Sequence, residues 1–175
     1  MRFMQRHRNG MEVEMRIGIK IFLLLMTLGL CLSLRTEAQS SRSPQSQVDV
    51  LVTMLASGEV ERVEILQIPA RILTRARITP QMLEEGFSYK VTIRDIRGGA
   101  YQGEMIDALK SMQVRPRTEA PDLRWGIIFY GPDKSRLGAL YSDQSGSNGV
   151  VGATPVSFNG RFFSWLGKSF SGCLR

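Results

Sequence analysis

The only histidine in this 175-residue chain is His7, ahead of a long apolar run, so the domain that follows has no imidazole to relay a proton. Ser-His-Asp and Cys-His catalysis need that relay, and the common zinc sites draw on His or clustered Cys ligands. Neither constellation can be assembled. The two cysteines, Cys31 and Cys173, stand far apart, one inside the apolar run and one near the C-terminus. No glycine-rich phosphate loop is present either. Carboxylate and arginine chemistry remain. Glycosidic hydrolysis needs only two acids about 5–10 Å apart, and Glu84, Glu85, Glu104, Asp107 and Asp143 are candidates. Glu84 and Glu85 read better as the solvated face of a helix than as a catalytic pair. Arg71, Arg75 and Arg77 can gather an anion, the first two sharing a face if their segment is helical. Arg124 and Tyr130 lie on one face of a strand with Ile128 between them, which makes a partly apolar surface with polar ends. These five, Arg71, Arg75, Arg77, Arg124 and Tyr130, are the candidate binding residues. No catalytic residue, metal ligand set or cofactor is assigned. The run from Asp143 to Gly149 lacks the repeated carboxylates and terminal glutamate of a calcium loop and reads as a hairpin turn.

The elements that must position these groups follow from periodicity. In residues 123–130, Leu123, Trp125, Ile127 and Phe129 alternate with Arg124, Gly126, Ile128 and Tyr130, the period of a strand. Gly131, Pro132 and Asp133 turn the chain, and Leu137, Ala139 and Tyr141 share a face of the return strand. Residues 150–158 read as a third, short strand interrupted at Gly152 and Pro155. Asn159 then suits the N-cap of a last helix, stopped near Gly172, in which Phe162, Trp165 and Leu166 make an apolar stripe with Trp165 as its anchor. Upstream, Ser43 and Pro44 open a helix that Gly58 stops, residues 60–68 are rich in β-branched side chains, and Thr79 with Pro80 starts a short helix. Residues 89–96 form a strand with one wet face, residues 105–112 an amphipathic helix, and residues 115–121 a polar connector. The fold expected is α+β: a single antiparallel sheet of about four to six strands, amphipathic helices packed on one face, and a C-terminal helix after a β-meander.

Residues 21–34 are uncharged and mostly apolar, preceded by Arg16 and Lys20 and followed by small residues at 36 and 38, the pattern of a secretory signal peptide. Fourteen residues rise about 21 Å as a helix, short of the roughly 30 Å hydrocarbon core, so cleavage is favoured over a permanent anchor. The organisation expected is an N-terminal extension and signal peptide over 1–38, a flexible tether over 39–42, and one globular domain over 43–175. The first segment carries six basic and three acidic residues, so cleavage lowers the formal net charge from +7 to +4. That mild excess, with no recognised nucleic-acid motif, argues against nucleic acid as a partner.

These features favour an exported, periplasmic or extracellular, non-enzymatic binding domain whose partner is a protein or envelope component. Membrane contact is expected only through an uncleaved signal segment, and a dimer through Cys173 alone, the one cysteine left after cleavage. The alternative is a small histidine-free hydrolase that acts through carboxylates on an envelope or extracellular polymer.

Overall fold

The structure, a computed structural model, describes residues 42–170. His7, Cys31, Gly172 and Cys173 lie outside the described residues, as do the expected signal peptide, most of the tether and the proposed disulfide dimer. The first helix, α1 (Pro44–Ser57), starts where Ser43 Oγ accepts the amide of Ser46 at 3.1 Å and stops at Gly58, whose φ of 75° a residue with a Cβ rarely adopts. Then come β1 (Arg62–Gln67), α2 (Pro80–Gly86), β2 (Tyr89–Arg94), α3 (Ala100–Lys110), β3 (Gln113–Pro116), β4 (Trp125–Tyr130), β5 (Arg136–Ser142), β6 (Asn148–Val151), β7 (Thr154–Asn159) and α4 (Phe162–Phe170). Seven strands make one antiparallel sheet in the order β2-β1-β4-β5-β6-β7-β3.

The fold is thus α+β with one antiparallel sheet and a C-terminal helix, and the sheet is slightly larger than expected. Two strands account for the difference. At Gly152, φ is 61° and Val151 pairs with Thr154, so the interruption is a two-residue hairpin turn that separates β6 from β7. The polar connector after α3 begins with β3, which pairs with β7 at the sheet edge, where Pro116 is tolerated because one side needs no ladder bond.

Two cores flank the sheet. On one face Val63, Ile65, Ile127, Phe129 and Leu140 meet Val48, Leu51 and Leu55 of α1, Met105 and Leu109 of α3, and Phe162 and Leu166 of α4. Each such side chain contributes about 1.5–3 kcal/mol on burial. The opposite face carries a smaller core of Ile68, Ile78, Leu83, Leu123, Tyr141 and Val150, supplied by α2 and the segment before it. Among the described residues both cores run from Val48 to Phe170, and these fall within one compact unit that begins at Ser43. Leu123 therefore parts company with Trp125, Ile127 and Phe129, because it precedes β4 and hydrogen-bonds to Ile78. Leu137 likewise leaves the face of Ala139 and Tyr141: the register shifts between Phe129 and Tyr130, and that bulge turns Leu137 towards the helices.

The last helix starts later than Asn159 implies, since Asn159 pairs with Gln113 as the end of β7. Its buried residues are Phe162, Leu166 and Phe170, one turn apart, whereas Trp165 is half-buried, stacks on Phe162 with ring centroids 5.9 Å apart, and donates its indole N–H to Glu104 Oε2 at 2.9 Å. The anchor is Phe162. Truncation of a filled core site should destabilise far more than truncation of its lid. Phe162→Ala is expected to cost about 3–5 kcal/mol and Trp165→Ala about 1–2 kcal/mol. Urea denaturation compares the two, and equal losses would return Trp165 to the core.

Candidate binding cleft

The strand β4 begins beside Arg124, only 8% exposed. Its guanidinium donates from Nε (3.0 Å) and Nη2 (2.6 Å) to Asp122 Oδ2, and from Nη1 to the carbonyls of Ile72 (2.9 Å) and Pro69 (3.4 Å). Asp122 uses its other oxygen to accept the amide of Ile78 at 2.8 Å. The segment between β1 and α2 is thereby clamped to the sheet in a non-helical form. Pro69 and Pro80 bracket it and disfavour a helix that crosses either boundary.

Beside this clamp lies a cleft of about 600 Å³, formed by Ala70 and Arg77 of that segment, residues 117–124 before β4, and the β5–β6 turn. Two arginines converge in it. Arg77 Nη2 and Arg117 Nη2 each lie 3.6 Å from a different oxygen of the Glu119 carboxylate, whose side chain is 70% exposed. Arg117 also donates from Nη1 to Asn148 Oδ1, and Asn148 Nδ2 donates to Asp143 Oδ2 at 2.8 Å. Asp143 in turn accepts Ser145 Oγ (2.8 Å) and the amide of Ser147 (3.1 Å). The chain from Asp143 through Asn148 orients Arg117, while Arg77 extends from the opposite wall. Three cations, Arg77, Arg117 and Arg124, stand against Glu119, Asp122 and Asp143, so the cleft is formally neutral with Glu119 in place.

The five residues singled out from sequence are dispersed. Arg77 and Arg124 line the cleft. Arg71 donates to the hydroxyl of Tyr89 at 3.2 Å, and Arg75 is exposed with no ion pair among the described residues. Tyr130 shares the face of Arg124 but lies about 20 Å away at roughly 3.3 Å per strand residue. Between them sits α2: a Cβ on Gly126 would stand 3.0 Å from Leu83 Cδ2, so any larger residue there would require Leu83 to give by a few tenths of an ångström. Around Tyr130, Arg62 caps the ring at 4.2 Å, and Glu64 pairs with Lys90 at 3.0 Å and Arg62 at 3.7 Å. Burial, then the Glu64 charge, pushes the Tyr130 hydroxyl above its ordinary pKa, so it stays protonated.

The carboxylates also separate. Glu104 and Asp107 line a groove of about 410 Å³ between α3 and α4, Asp143 belongs to the β5–β6 turn, and Glu85 is exposed on α2 beside Gln81, which donates to it. Glu84 receives both terminal nitrogens of Arg136 at 3.0 Å and the hydroxyl of Tyr141. Burial raises its pKa, but the hydrogen bonds from Arg136 and Tyr141 outweigh that and hold it below the ordinary carboxylate value. It is a fixed anion and not a poised acid. Among the described residues no three His, Cys, Asp or Glu side chains gather as a metal site. Arg117, Glu119 and Asn148 carry no periodic signal, since they sit in a connector and at the start of a short strand, and Arg117 meets Asn148 through the β3–β7 and β6–β7 pairings.

Since the folded pKa of Glu84 lies below its unfolded value near 4.5, its contribution is present above that pH and is lost as pH falls through the folded value. Glu84→Gln should cost about 0.5–1 kcal/mol at pH 7, discounted because Arg136 is 45% exposed, and the gap from wild type should close as the pH falls from 4.5 through the lower folded value. Urea titrations at several pH values check this; a gap independent of pH would refute the ionic role. Comparison with protein-family models, with characterised sequences and with solved structures yields no match to this chain.

Proposed function

We propose that the protein is an exported, non-enzymatic binding domain that holds an oxyanion, a carboxylate or a phosphate, between Arg77 and Arg117. The observation that carries this reading is the position of Glu119. Its carboxylate bridges two arginines at 3.6 Å, beyond good hydrogen-bond distance, and remains largely in water. Such loose exposed pairs contribute about 0–1 kcal/mol, so they give way readily. A ligand oxyanion that displaces Glu119 can reach both guanidinium groups at full hydrogen-bond contact, where Arg geometry suits carboxylate and phosphate alike. For a carboxylate the exchange leaves the charge balance among the cleft side chains and the bound anion unchanged. Arg117, steadied by Asn148, is the fixed half of the site and Arg77 the adjustable half. Export is supported by the apolar run at 21–34 behind Arg16 and Lys20. The absence of histidine after residue 7 and the commitment of Glu84 to Arg136 and Tyr141 favour binding over catalysis.

Titration calorimetry with inorganic phosphate and with a uronic acid tests the site. Glu119→Gln should tighten binding by about fivefold, since it removes a competitor worth up to ~1 kcal/mol. Arg117→Gln should weaken it by at least about tenfold through loss of a charge-assisted bond. Binding of neither probe by wild type or Glu119→Gln, or binding indifferent to Arg117, would overturn the assignment. Reproducible turnover of a polysaccharide by the purified protein would overturn its non-enzymatic part. Intact mass of the exported protein, expected to begin at Gln39, checks the export.

A further inference from the structure

The segment between β1 and α2 keeps apolar side chains in water although it is firmly held. Ile68 and Ile78, at its ends, are 6% and 1% exposed in the second core, and Arg124 grips the carbonyl of Ile72 in its middle. The amide of Ile72 also closes a turn onto Pro69. Yet every residue from 70 to 77 is exposed, and Leu73, at 92%, has no cover at all. Of the five exposed large hydrophobic side chains among the described residues, Ile72, Leu73, Met82 and Phe87 fall within sixteen positions, and only Tyr101 lies elsewhere. Adjacent apolar side chains left in water on a firmly held loop, Ile72 and Leu73, mark a contact surface.

The charge on the loop itself has one sign, whereas Glu84 and Glu85, between Met82 and Phe87, belong to α2, and Glu119 approaches only Arg77 of the loop, at 3.6 Å. Residues 69–79 contain Arg71, Arg75 and Arg77 and no acid. The segment leaves the sheet where Ser88 donates to the carbonyl of Gln67, which sets Phe87 at the same end, and Lys90 approaches the Phe87 ring at 5.9 Å. A polyanion or an acidic peptide would satisfy the arginines and leave Leu73 in water. A bilayer interface takes both, because apolar side chains enter the boundary between headgroups and acyl chains while cations stay among the phosphates.

We propose that the 69–78 loop docks the domain on an anionic lipid surface, with Leu73 and Ile72 inserted and Arg71, Arg75 and Arg77 among the lipid phosphates. This goes beyond the cleft reading, since neither Leu73 nor Arg75 lines the cleft. The clamp by Arg124 gives the loop its use: a pre-formed tip loses little conformational freedom when it inserts.

Residues 43–175, a compact unit that contains every described residue of both cores, are the form to test, because the apolar run at 21–34 binds vesicles by itself. Co-sedimentation should show binding to vesicles of phosphatidylcholine mixed with phosphatidylglycerol, weakened by salt, and little binding to phosphatidylcholine alone. Leu73→Ser should weaken binding about tenfold and Arg75→Gln about fivefold, with unchanged near-ultraviolet circular dichroism since both side chains are exposed. Arg117→Gln should leave vesicle binding intact. Equal binding to both vesicle types, binding to neither, or binding that Leu73→Ser leaves unchanged would overturn the proposal. Loss with Arg117→Gln but not with Leu73→Ser would also overturn it and assign the lipid phosphate to the cleft.

Discussion

The guanidinium of Arg124 is buried against one carboxylate and two carbonyls, and the arrangement of the sheet's second face depends on it. A buried cation costs several kcal/mol unless it is paired and its donors are satisfied. Here Asp122 supplies the charge, while Pro69 and Ile72 supply the acceptors. Because those carbonyls belong to the segment after β1 and Asp122 to the segment before β4, one side chain fixes both walls that meet at the cleft. Asp122 completes the closure by accepting from Ile78, the residue that carries the chain back into the core. The apolar part of this face is small, so the polar clamp does work that the larger core does on the other side.

Much of the architecture was legible in the sequence because it rests on local rules. Alternation marked β2, β4 and β5, and Ser43 with Pro44 and Thr79 with Pro80 marked two helix starts through capping that the structure shows at 3.1 Å and 3.3 Å. Other features depend on register, which no local rule reports. The bulge beside Tyr130 sends Leu137 to the opposite face, Gly152 divides one apparent strand into two, and β3 is a strand only because β7 lies beside it. Spacing placed Phe162 and Trp165 in one stripe with Trp165 as the expected anchor, and the three-dimensional packing of α4 on α3 encloses Phe162 instead.

The cleft was less legible still. Arg77 and Arg124 were visible as residue types, but the residues that give them a function, Arg117, Glu119 and Asn148, carry no pattern. Arg117 and Asn148 are 31 positions apart in sequence and become neighbours through a turn stabilised by Asp143. The two arginines nearest Arg77 in sequence point elsewhere because their segment is not helical, so the spacing that suggested one cluster does not apply.

The strand order has a consequence for how the chain assembles. Strands β4 to β7 are successive neighbours joined by short turns, so this meander can form with little loop-closure entropy. Its two flanks cannot. Gln67 must find Trp125 across two helices and two strands, and Gln113 must find Asn159 across β4, β5 and β6. Until β1 arrives, β4 exposes the ladder groups of Ile128 and Tyr130 on an open edge, and a strand rich in β-branched and aromatic residues can pair there with another chain. The interval between meander formation and the docking of β1 is therefore the period in which a nascent copy is most exposed to aggregation, and the second face, with its clamp and cleft, can only be completed after it.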